Sequence, residues 1–165
     1  MSVELHWIGG PWPGKLAVSA RPRGGDWLED EIGGWKRLGV RSVLSLLTPD
    51  EERDLELRGE GLEVKNQGLE YCSLPIPDRG IPPSETKLAE ALEKANRTLS
   101  AGRNVLVHCR QGVGRSGLVA ACLLIKNGMS PGAAIDAVSV ARCVAIPETE
   151  EQRDWIERYA PALTK

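Results

Sequence analysis

Short apolar runs alternate along the chain with segments in which apolar side chains recur at helical spacing. The runs favour strands, and the segments favour amphipathic helices. The predicted strands are Val3–Ile8, Leu16–Ala20, Val40–Leu47, Glu70–Leu74 and Asn104–His108. The predicted helices are Trp27–Leu38, Pro49–Arg58, 85–101, 115–127, Pro131–Ala141 and Glu148–Tyr159. Strands that alternate with helices predict an α/β fold, with a mainly parallel central sheet flanked by helices.

Capping and breaking residues place several of these boundaries. Asp26 is a candidate N-cap for the first helix, and Gly39 is a candidate for the residue that ends it. Ser84 is a candidate N-cap for the third helix. The proline-rich segment 75–83 predicts an irregular loop, because proline fixes φ and removes a backbone donor. The length of 165 residues suits a single domain over residues 1–165.

Composition limits the partners and the location that the sequence supports. The formal net charge is −2, so no global charge favours nucleic acid or an anionic membrane as a partner. No apolar run approaches the ~20 residues of a membrane span. The N-terminus lacks the pattern of a secretory signal. Cysteines in a chain without such a signal predict reduced thiols and a cytoplasmic location. The oligomeric state is left open.

The four cysteines do not form a metal-binding pattern. Cys72, Cys109, Cys122 and Cys143 lack ligand spacing, and the chain has only two histidines. The sequence therefore predicts no metal and no cofactor. Three of the cysteines are most simply core residues, and the exception is Cys109.

The segment from Val107 to Gly117 carries the candidate chemistry. Cys109 follows a strand at its carboxyl end, which is where open α/β sheets place their ligands. Glycines let the following backbone curl with its N–H groups inward, and the loop leads into a helix whose N-terminus favours an anion. The pattern predicts a phosphate site formed by Arg110, Gln111, Gly112, Val113, Gly114 and Arg115.

Cys109 is the candidate nucleophile of this loop. Converging N–H groups and the helix dipole stabilise a thiolate, so Cys109 would be ionised at neutral pH. The planar guanidinium of Arg115 would hold two phosphate oxygens and stabilise the charge that they carry in the transition state. Ser116 would donate a hydrogen bond from its hydroxyl group to the sulfur when it becomes the leaving group. The alternative is a buried core cysteine before an ordinary strand-to-helix turn.

The sequence His108-Cys109-x5-Arg115-Ser116 resembles the phosphate loop of the cysteine-dependent protein tyrosine and dual-specificity phosphatases. The resemblance includes the preceding apolar strand, and it extends from about Leu16 to Tyr159. It is greatest for the compact group that includes the cyclin-dependent kinase inhibitor 3-type phosphatases and their bacterial relatives. It implies a protein tyrosine phosphatase-like fold and a phosphocysteine intermediate.

The resemblance also implies a general acid that protonates the leaving oxygen. Asp78 lies in the loop 75–83, directly after a strand, in the place of the family's acid loop. The family's common Trp-Pro-Asp is here Ile76-Pro77-Asp78, so the Trp hinge is missing and the amplitude of loop closure is open. The alternative is a turn-forming Asp, because Pro-Asp-x-Gly is also good turn chemistry.

Three further residues are candidates for supporting roles. The segment 146–152 resembles the family's loop that positions the hydrolytic water: Gln152 matches a glutamine there, and Glu148 stands where the tyrosine-specific enzymes carry another. The alternative is a helix start whose acidic residues suit the dipole. His108 is expected to stiffen the phosphate loop through ring hydrogen bonds, with its side chain on the opposite face of the strand from Cys109.

Four functions are compatible with these residues. The leading hypothesis is a phosphatase for protein phosphotyrosine, with or without phosphoserine and phosphothreonine. The second is a phosphatase for small phosphoesters or phosphoinositides, which the basic Arg110 favours; a solvated Arg110 is the alternative. The third is a sulfur-transfer or arsenate-reducing protein, against which Asp78 argues, because that chemistry needs no leaving-oxygen acid. The fourth is a non-catalytic phosphate-binding module, against which Cys109, Arg115 and Asp78 argue together.

Overall fold

The computed structural model of the protein describes residues 4–164, and five strands in it form one sheet. The strands are β1 (His6–Ile8), β2 (Leu16–Ser19), β3 (Val40–Ser45), β4 (Glu70–Ser73) and β5 (Asn104–His108). Their order is β1-β2-β5-β3-β4; β1 runs antiparallel to β2, and the other neighbours are parallel. The predicted α/β fold is therefore confirmed. Val3, the predicted start of the first strand, lies outside the described residues.

Helices cover both faces of the sheet. Within residues 4–164 they are α1 (Leu28–Arg37), α2 (Pro49–Asp54), α3 (Glu60–Asn66), α4 (Glu85–Ser100), α5 (Gly114–Lys126), α6 (Pro131–Arg142) and α7 (Glu150–Leu163). Apolar side chains of α4 to α7 form one core on one face, and those of α1 and α3 form a second core on the other. Along β5, Val105 and Val107 face the first core and Leu106 faces the second, because successive strand residues point to opposite faces.

The two central elements are buried and, apart from the residues next to the loop between them and Asn104, almost wholly apolar. β5 lies between β2 and β3, and the residues of α5 from Gly114 to Ile125 are all buried. A helix that is apolar all round belongs in the interior of a protein. The chain therefore places the loop that joins these two elements at the carboxyl edge of the sheet, next to the ends of β2 and β3, where Ser19 and Ser45 both pair with His108.

Side-chain caps fix the ends of several helices. Ser84 accepts a hydrogen bond from the backbone N–H of Lys87, as predicted. Thr48 and Thr149 cap α2 and α7, each in a capping box with the residue three positions later. Because Thr149 is the cap, α7 begins at Glu150 and not at the predicted Glu148.

Three other predictions for the first half of the chain were wrong in detail. Asp26 does not cap α1; it lies in a short 3-10 turn, Gly25–Trp27, that leads into the helix. The predicted helix Pro49–Arg58 ends at Asp54, and β3 ends at Ser45 instead of Leu47. The helix α3 was not predicted, because Gly59 and Gly61 beside its first residue gave the segment the composition of a loop.

Candidate active site

Cys109 lies at the start of the loop between β5 and α5. Its side chain is 2% exposed. The backbone N–H of Gly112 donates to Cys109 Sγ at 3.3 Å, and Ser116 Oγ lies 3.3 Å from the same sulfur. The sulfur therefore has two hydrogen-bonding partners inside the curl of the loop, and both can donate to a thiolate.

The curl depends on Gly112. This residue has φ +74°, and a Cβ atom there would lie 2.4 Å from the carbonyl carbon of Ser19. A side chain is therefore excluded by both the backbone conformation and the close approach of β2. Gly114 is restricted too, because a Cβ atom there would lie 2.9 Å from Glu148 Oε1.

The carbonyl groups of the loop are bonded from outside. The N–H of Arg21 donates to the carbonyl of Arg110 at 3.3 Å. The guanidinium of Arg142, at the end of α6, donates to the carbonyls of Gln111 at 3.2 Å and Gly112 at 3.0 Å. In a trans peptide the C=O and the next N–H point in opposite directions. The amides after these three carbonyls therefore point to the interior of the loop, which is the arrangement of an anion-binding nest.

Arg115 is buried, and four hydrogen bonds to three residues hold its guanidinium. Its Nη1 and Nη2 donate to the two carboxylate oxygens of Glu51 at 2.6 and 2.9 Å. Nη1 also donates to the carbonyl of Ile76 at 2.9 Å, and Nη2 to Asp78 Oδ1 at 3.1 Å. Nη1 and Nη2 each donate two hydrogen bonds, so neither has a free N–H. Arg115 can therefore hold an anion at two points only through Nε and Nη2, after the anion has displaced Asp78 from Nη2.

The Arg115–Glu51 pair is an internal ion pair with both groups charged. Burial would raise the pKa of Glu51, but hydrogen bonds from Arg115 and Thr48 outweigh burial and leave that pKa below its ordinary value. Burial likewise opposes the cation, and the bond to Glu51 leaves the pKa of Arg115 raised. Glu51 therefore fixes the orientation of the guanidinium beside Cys109.

Asp78 projects from an anchored loop. Ile76, which replaces the family's Trp, is fully buried, and its N–H donates to the carbonyl of Leu46 at 3.1 Å. The Asp78 side chain is 56% exposed and still reaches Arg115. Gly80 closes a turn by donating to the carbonyl of Pro77 at 2.8 Å. The Asp78 carboxylate therefore lies next to Arg115 and is exposed to solvent.

Glu148 and Gln152 contact the loop of Asp78. Gln152 is fully buried; its Nε2 donates to the carbonyl of Gly80 at 2.9 Å, and its Oε1 accepts from the N–H groups of Glu148 and Thr149 at 3.1 Å each. Glu148 forms an ion pair with Arg79 at 3.2 Å. Only one N–H of the Gln152 amide is left for a water molecule. The start of α7 thus connects the segment of Asp78 to the phosphate loop.

His108 points away from Cys109, as predicted. Its Nε2 lies 2.5 Å from Glu60 Oε2, and its ring lies 5.8 Å from that of Trp35 in the second core. The expected ring hydrogen bonds to the loop are absent among the described residues, since Nδ1 has no partner there. His108 therefore connects the base of the loop to α3 on the opposite face of the sheet.

No cluster of three or more potential metal ligands occurs among residues 4–164. A groove of about 610 Å³ does exist at the other end of the sheet, lined by residues that include Trp7, Trp12, Lys15 and Leu38. It contains no cysteine, histidine or carboxylate. The chemical groups therefore converge at the carboxyl edge and not in this groove.

Comparisons with known proteins identify the family and the fold. The family described as "Polymorphic toxin system, DSP-PTPase phosphatase" matches residues 20–129. Cyclin-dependent kinase inhibitor 3 of Sus scrofa is 36% identical over 91 residues, which are 54% of this chain and 42% of that protein. The chain thus matches less than half the length of that relative.

Two solved structures share the fold. A kinase-associated phosphatase with its catalytic-site cysteine substituted by serine superposes with a TM-score of 0.89, at 23% identity, over 99% of this chain and 97% of the other. PTPMT1 in complex with PI(5)P superposes with a TM-score of 0.76, at 23% identity, over 96% and 97%. With the match over residues 20–129, the chain belongs to the dual-specificity and protein tyrosine phosphatase family.

Sequence reasoning missed three residues that the structure brings to this site. Glu51 lies in the helix predicted over Pro49–Arg58, whose acidic composition gives no sign that one carboxylate is buried. Glu60 lies in the unpredicted helix α3, and Arg142 lies 30 residues from Gly112, whose carbonyl it holds. A capping box at Thr48 and Glu51 was visible in the sequence. It could have located the start of α2, but no local pattern indicated that Glu51 turns inward.

We predict that Glu51→Gln destabilises the protein by about 3 kcal/mol at pH 7, because it leaves Arg115 buried without its counter-ion. Glu51 has a lowered pKa in the folded state, so its stabilisation is present above the unfolded value and is lost as pH falls through the folded value. Urea unfolding of both proteins at several pH values should give a difference that shrinks below about pH 4.5. A difference that stays constant down to pH 2 would exclude the ion pair as its cause.

Proposed function

We propose that this protein is a phosphatase that hydrolyses phosphate monoesters through a phosphocysteine intermediate on Cys109, with protein phosphotyrosine as the leading substrate. One observation carries the proposal: a buried cysteine sulfur receives an amide N–H inside a loop whose carbonyls are bonded outward. Membership of the dual-specificity and protein tyrosine phosphatase family supports the same reaction. Phosphoserine and phosphothreonine remain further substrates to test.

In the first step the thiolate attacks phosphorus, the P–S bond forms and the ester P–O bond breaks. The loop amides and Arg115 stabilise the charge on the three equatorial oxygens. Asp78 gives its proton to the leaving oxygen. Its present bond to Nη2 of Arg115 places the carboxylate at the site. An oxygen of the phosphate would replace Asp78 on that nitrogen, and the released carboxylate, now beside the anionic substrate, would take up a proton from solvent before it donates that proton to the leaving oxygen.

In the second step water attacks phosphorus, its proton passes to Asp78 and the P–S bond breaks. Ser116 donates a hydrogen bond from its hydroxyl group to the departing thiolate, which its 3.3 Å separation from Sγ supports. The contacts of Gln152 and Glu148 with the segment 79–80 support a role in holding Asp78 at the site. Water positioning through the remaining N–H of Gln152 is part of the same proposal.

The direct test is Cys109→Ser, with Cys143→Ser as the control because Cys143, contrary to the prediction of a core residue, is exposed and lies outside the loop. Cys109→Ser should lose p-nitrophenyl phosphate hydrolysis and still bind phosphate, since a serine hydroxyl stays protonated without a base. Acid-quenched wild-type protein should carry one added phosphoryl group on the Cys109 peptide by mass spectrometry, in the presence of a chelator. Turnover by pure Cys109→Ser protein would disprove the phosphocysteine mechanism.

For Asp78 we predict a dependence on the leaving group. A phenol of low pKa departs unaided, whereas tyrosine, with a pKa of ~10, needs a proton. Asp78→Asn should lower the single-turnover rate on a phosphotyrosine peptide by ~10²–10⁴-fold and affect an activated aryl phosphate far less. Asp136→Asn, on the exposed side of α6, is the control. An equal loss on both substrates would make Asp78 a structural turn residue.

A second candidate function is hydrolysis of a phosphoester that carries another anionic group, such as a phosphoinositide. Arg110 is exposed on the loop, and the backbone of Arg21 is bonded to it. Neither guanidinium has a carboxylate partner within residues 4–164. The guanidinium of Arg21 donates to the carbonyl of Pro22. The complex of PTPMT1 with PI(5)P makes this class worth testing on the present chain.

We expect Arg110→Ala to separate the two candidates. For a substrate with a second phosphate, the loss of one exposed charge contact should raise KM several-fold at low ionic strength, and added salt should remove the difference. For a singly phosphorylated neutral peptide the variant should behave as wild type. Equal KM effects on the two substrate classes would argue that Arg110 is only solvated.

The remaining alternatives are less well supported. Sulfur transfer or arsenate reduction gives Asp78 no task, and its carboxylate beside Arg115 argues for phosphoester chemistry.

The described residues, 4–164, contain no helix with the length and apolar character of a membrane span. The cytoplasmic location, the single domain and the absence of a metal or cofactor stay predictions from the sequence.

A further inference from the structure

The side chain of Arg23 is held in a fixed orientation that the mechanism above does not use. Its Nε lies 2.5 Å from Glu31 Oε1, and its backbone N–H donates to the same oxygen at 3.3 Å. The central carbon of the guanidinium lies 4.3 Å from the centroid of the Trp27 ring. A carboxylate therefore holds one edge of the guanidinium, and an aromatic ring holds one face.

The rest of this guanidinium is available to a ligand. Arginine has five N–H donors, and within residues 4–164 only Nε of Arg23 is bonded, so Nη1 and Nη2 keep theirs. The Arg23 side chain is 31% exposed, whereas that of Glu31 is fully buried. An arginine that served only to neutralise a carboxylate would bind both of its oxygens, but Glu31 Oε2 has no partner in the described part of the chain. Glu31 thus orients Arg23 without occupying its Nη groups.

The segment that carries Arg23 lies beside the candidate site. The N–H of Arg21 donates to the carbonyl of Arg110 in the phosphate loop at 3.3 Å. The Cα atoms of Arg21 and Arg23 are at most about 7 Å apart, because one residue spans at most ~3.6 Å. Further along, the N–H of Gly25 donates to the carbonyl of Glu56, just after α2, at 3.1 Å. Arg23 is therefore fixed between the phosphate loop and the end of α2.

The chemistry of this surface favours an anionic side chain as its ligand. An oriented guanidinium binds a carboxylate through two parallel N–H groups. Trp27 is 56% exposed, so its ring also offers apolar contact area beside the cation. Two or three residues of an extended peptide span ~7–11 Å. An acidic side chain two or three positions from a phosphotyrosine in the loop would therefore reach Arg23.

We propose that Arg23 is a specificity-determining residue that binds an acidic side chain of a peptide substrate, two or three positions from the phosphotyrosine. The inference rests on the proposed protein phosphotyrosine substrate. Glu31 and Trp27 act through Arg23 and are positioning residues. The contact differs from that of Arg110, which lies on the phosphate loop itself and would meet a second phosphate.

The test is the binding of fluorescein-labelled phosphotyrosine peptides to Cys109→Ser protein, measured by fluorescence anisotropy. The peptides carry a single Glu or Gln, in a neutral background, at each of the three positions on either side of the phosphotyrosine. At a position two or three residues away, Glu should lower the Kd roughly threefold to tenfold relative to Gln, and added salt should reduce this ratio. Equal Kd values for Glu and Gln at every position would overturn the proposal.

Variants of the Cys109→Ser protein locate the preference. Arg23→Gln alone would leave Glu31 buried without its counter-ion, so it is combined with Glu31→Gln, and thermal unfolding checks the fold. This double variant should bind the Glu and Gln peptides equally. Arg41→Gln removes an exposed charge at the start of β3 and should keep the full ratio. A ratio that survives in the folded double variant would contradict the proposal.

Trp27→Ala provides a second variant that keeps both charges of the ion pair. Because Trp27 is exposed, this change should preserve the fold, and it should lower the ratio because the guanidinium loses the support of the ring. An unchanged ratio in this variant would count against the proposed platform even if the double variant did not fold.

Binding and turnover together separate this inference from the proposed reaction. If Cys109→Ser protein prefers the Glu peptide and the wild type hydrolyses neither peptide, the proposed reaction fails and the binding site stands. If the wild type hydrolyses both peptides with equal kcat/KM and Cys109→Ser protein binds them equally, the reaction stands and the binding site is excluded.

Discussion

The tight curl of backbone between β5 and α5 determines the geometry of the candidate site. It requires Gly112 with positive φ against the end of β2, and it places the sulfur of Cys109 inside the curl. The buried strand on one side and the fully buried helix on the other hold its two ends. The rigid strand and helix hold the loop amides in a convergent arrangement in advance. The amides therefore need no reorganisation when an anion binds.

A second layer of charged side chains orients the loop from outside. Arg142 holds two of its carbonyls, Glu51 holds Arg115, and the His108–Glu60 pair lies beneath it. Each contact joins segments that are distant in the sequence. The site is therefore a product of the whole sheet edge, although the cysteine, the phosphate loop and Arg115 lie within eight consecutive residues, from Cys109 to Ser116.

The sequence predicted the parts of this site that are local. A nearly apolar strand, a cysteine, glycines and an arginine lie within one short segment, so their closeness in space follows from their closeness in the sequence. The segment of Asp78 followed from the same family resemblance. The residues that were missed, Glu51, Glu60 and Arg142, approach from separate helices, and only the packing of α2, α3 and α6 brings them to the loop. The predicted helix starts were wrong where tertiary contacts or a neighbouring cap fix the boundary, as at Asp26 and Glu148.

The proposed mechanism requires that the loop and Arg115 bind the transferring phosphoryl group while Asp78 is released from Arg115. A crystal structure of the protein with orthovanadate, which mimics the five-coordinate transition state, would show both events at once. We expect vanadium bonded to Cys109 Sγ, with its equatorial oxygens on the loop amides and on Arg115. Glu51 should still hold the guanidinium, and Asp78 should have moved from Nη2 to the apical oxygen. Vanadate bound elsewhere, or an Asp78 that remains on Arg115 with the loop amides unoccupied, would contradict it.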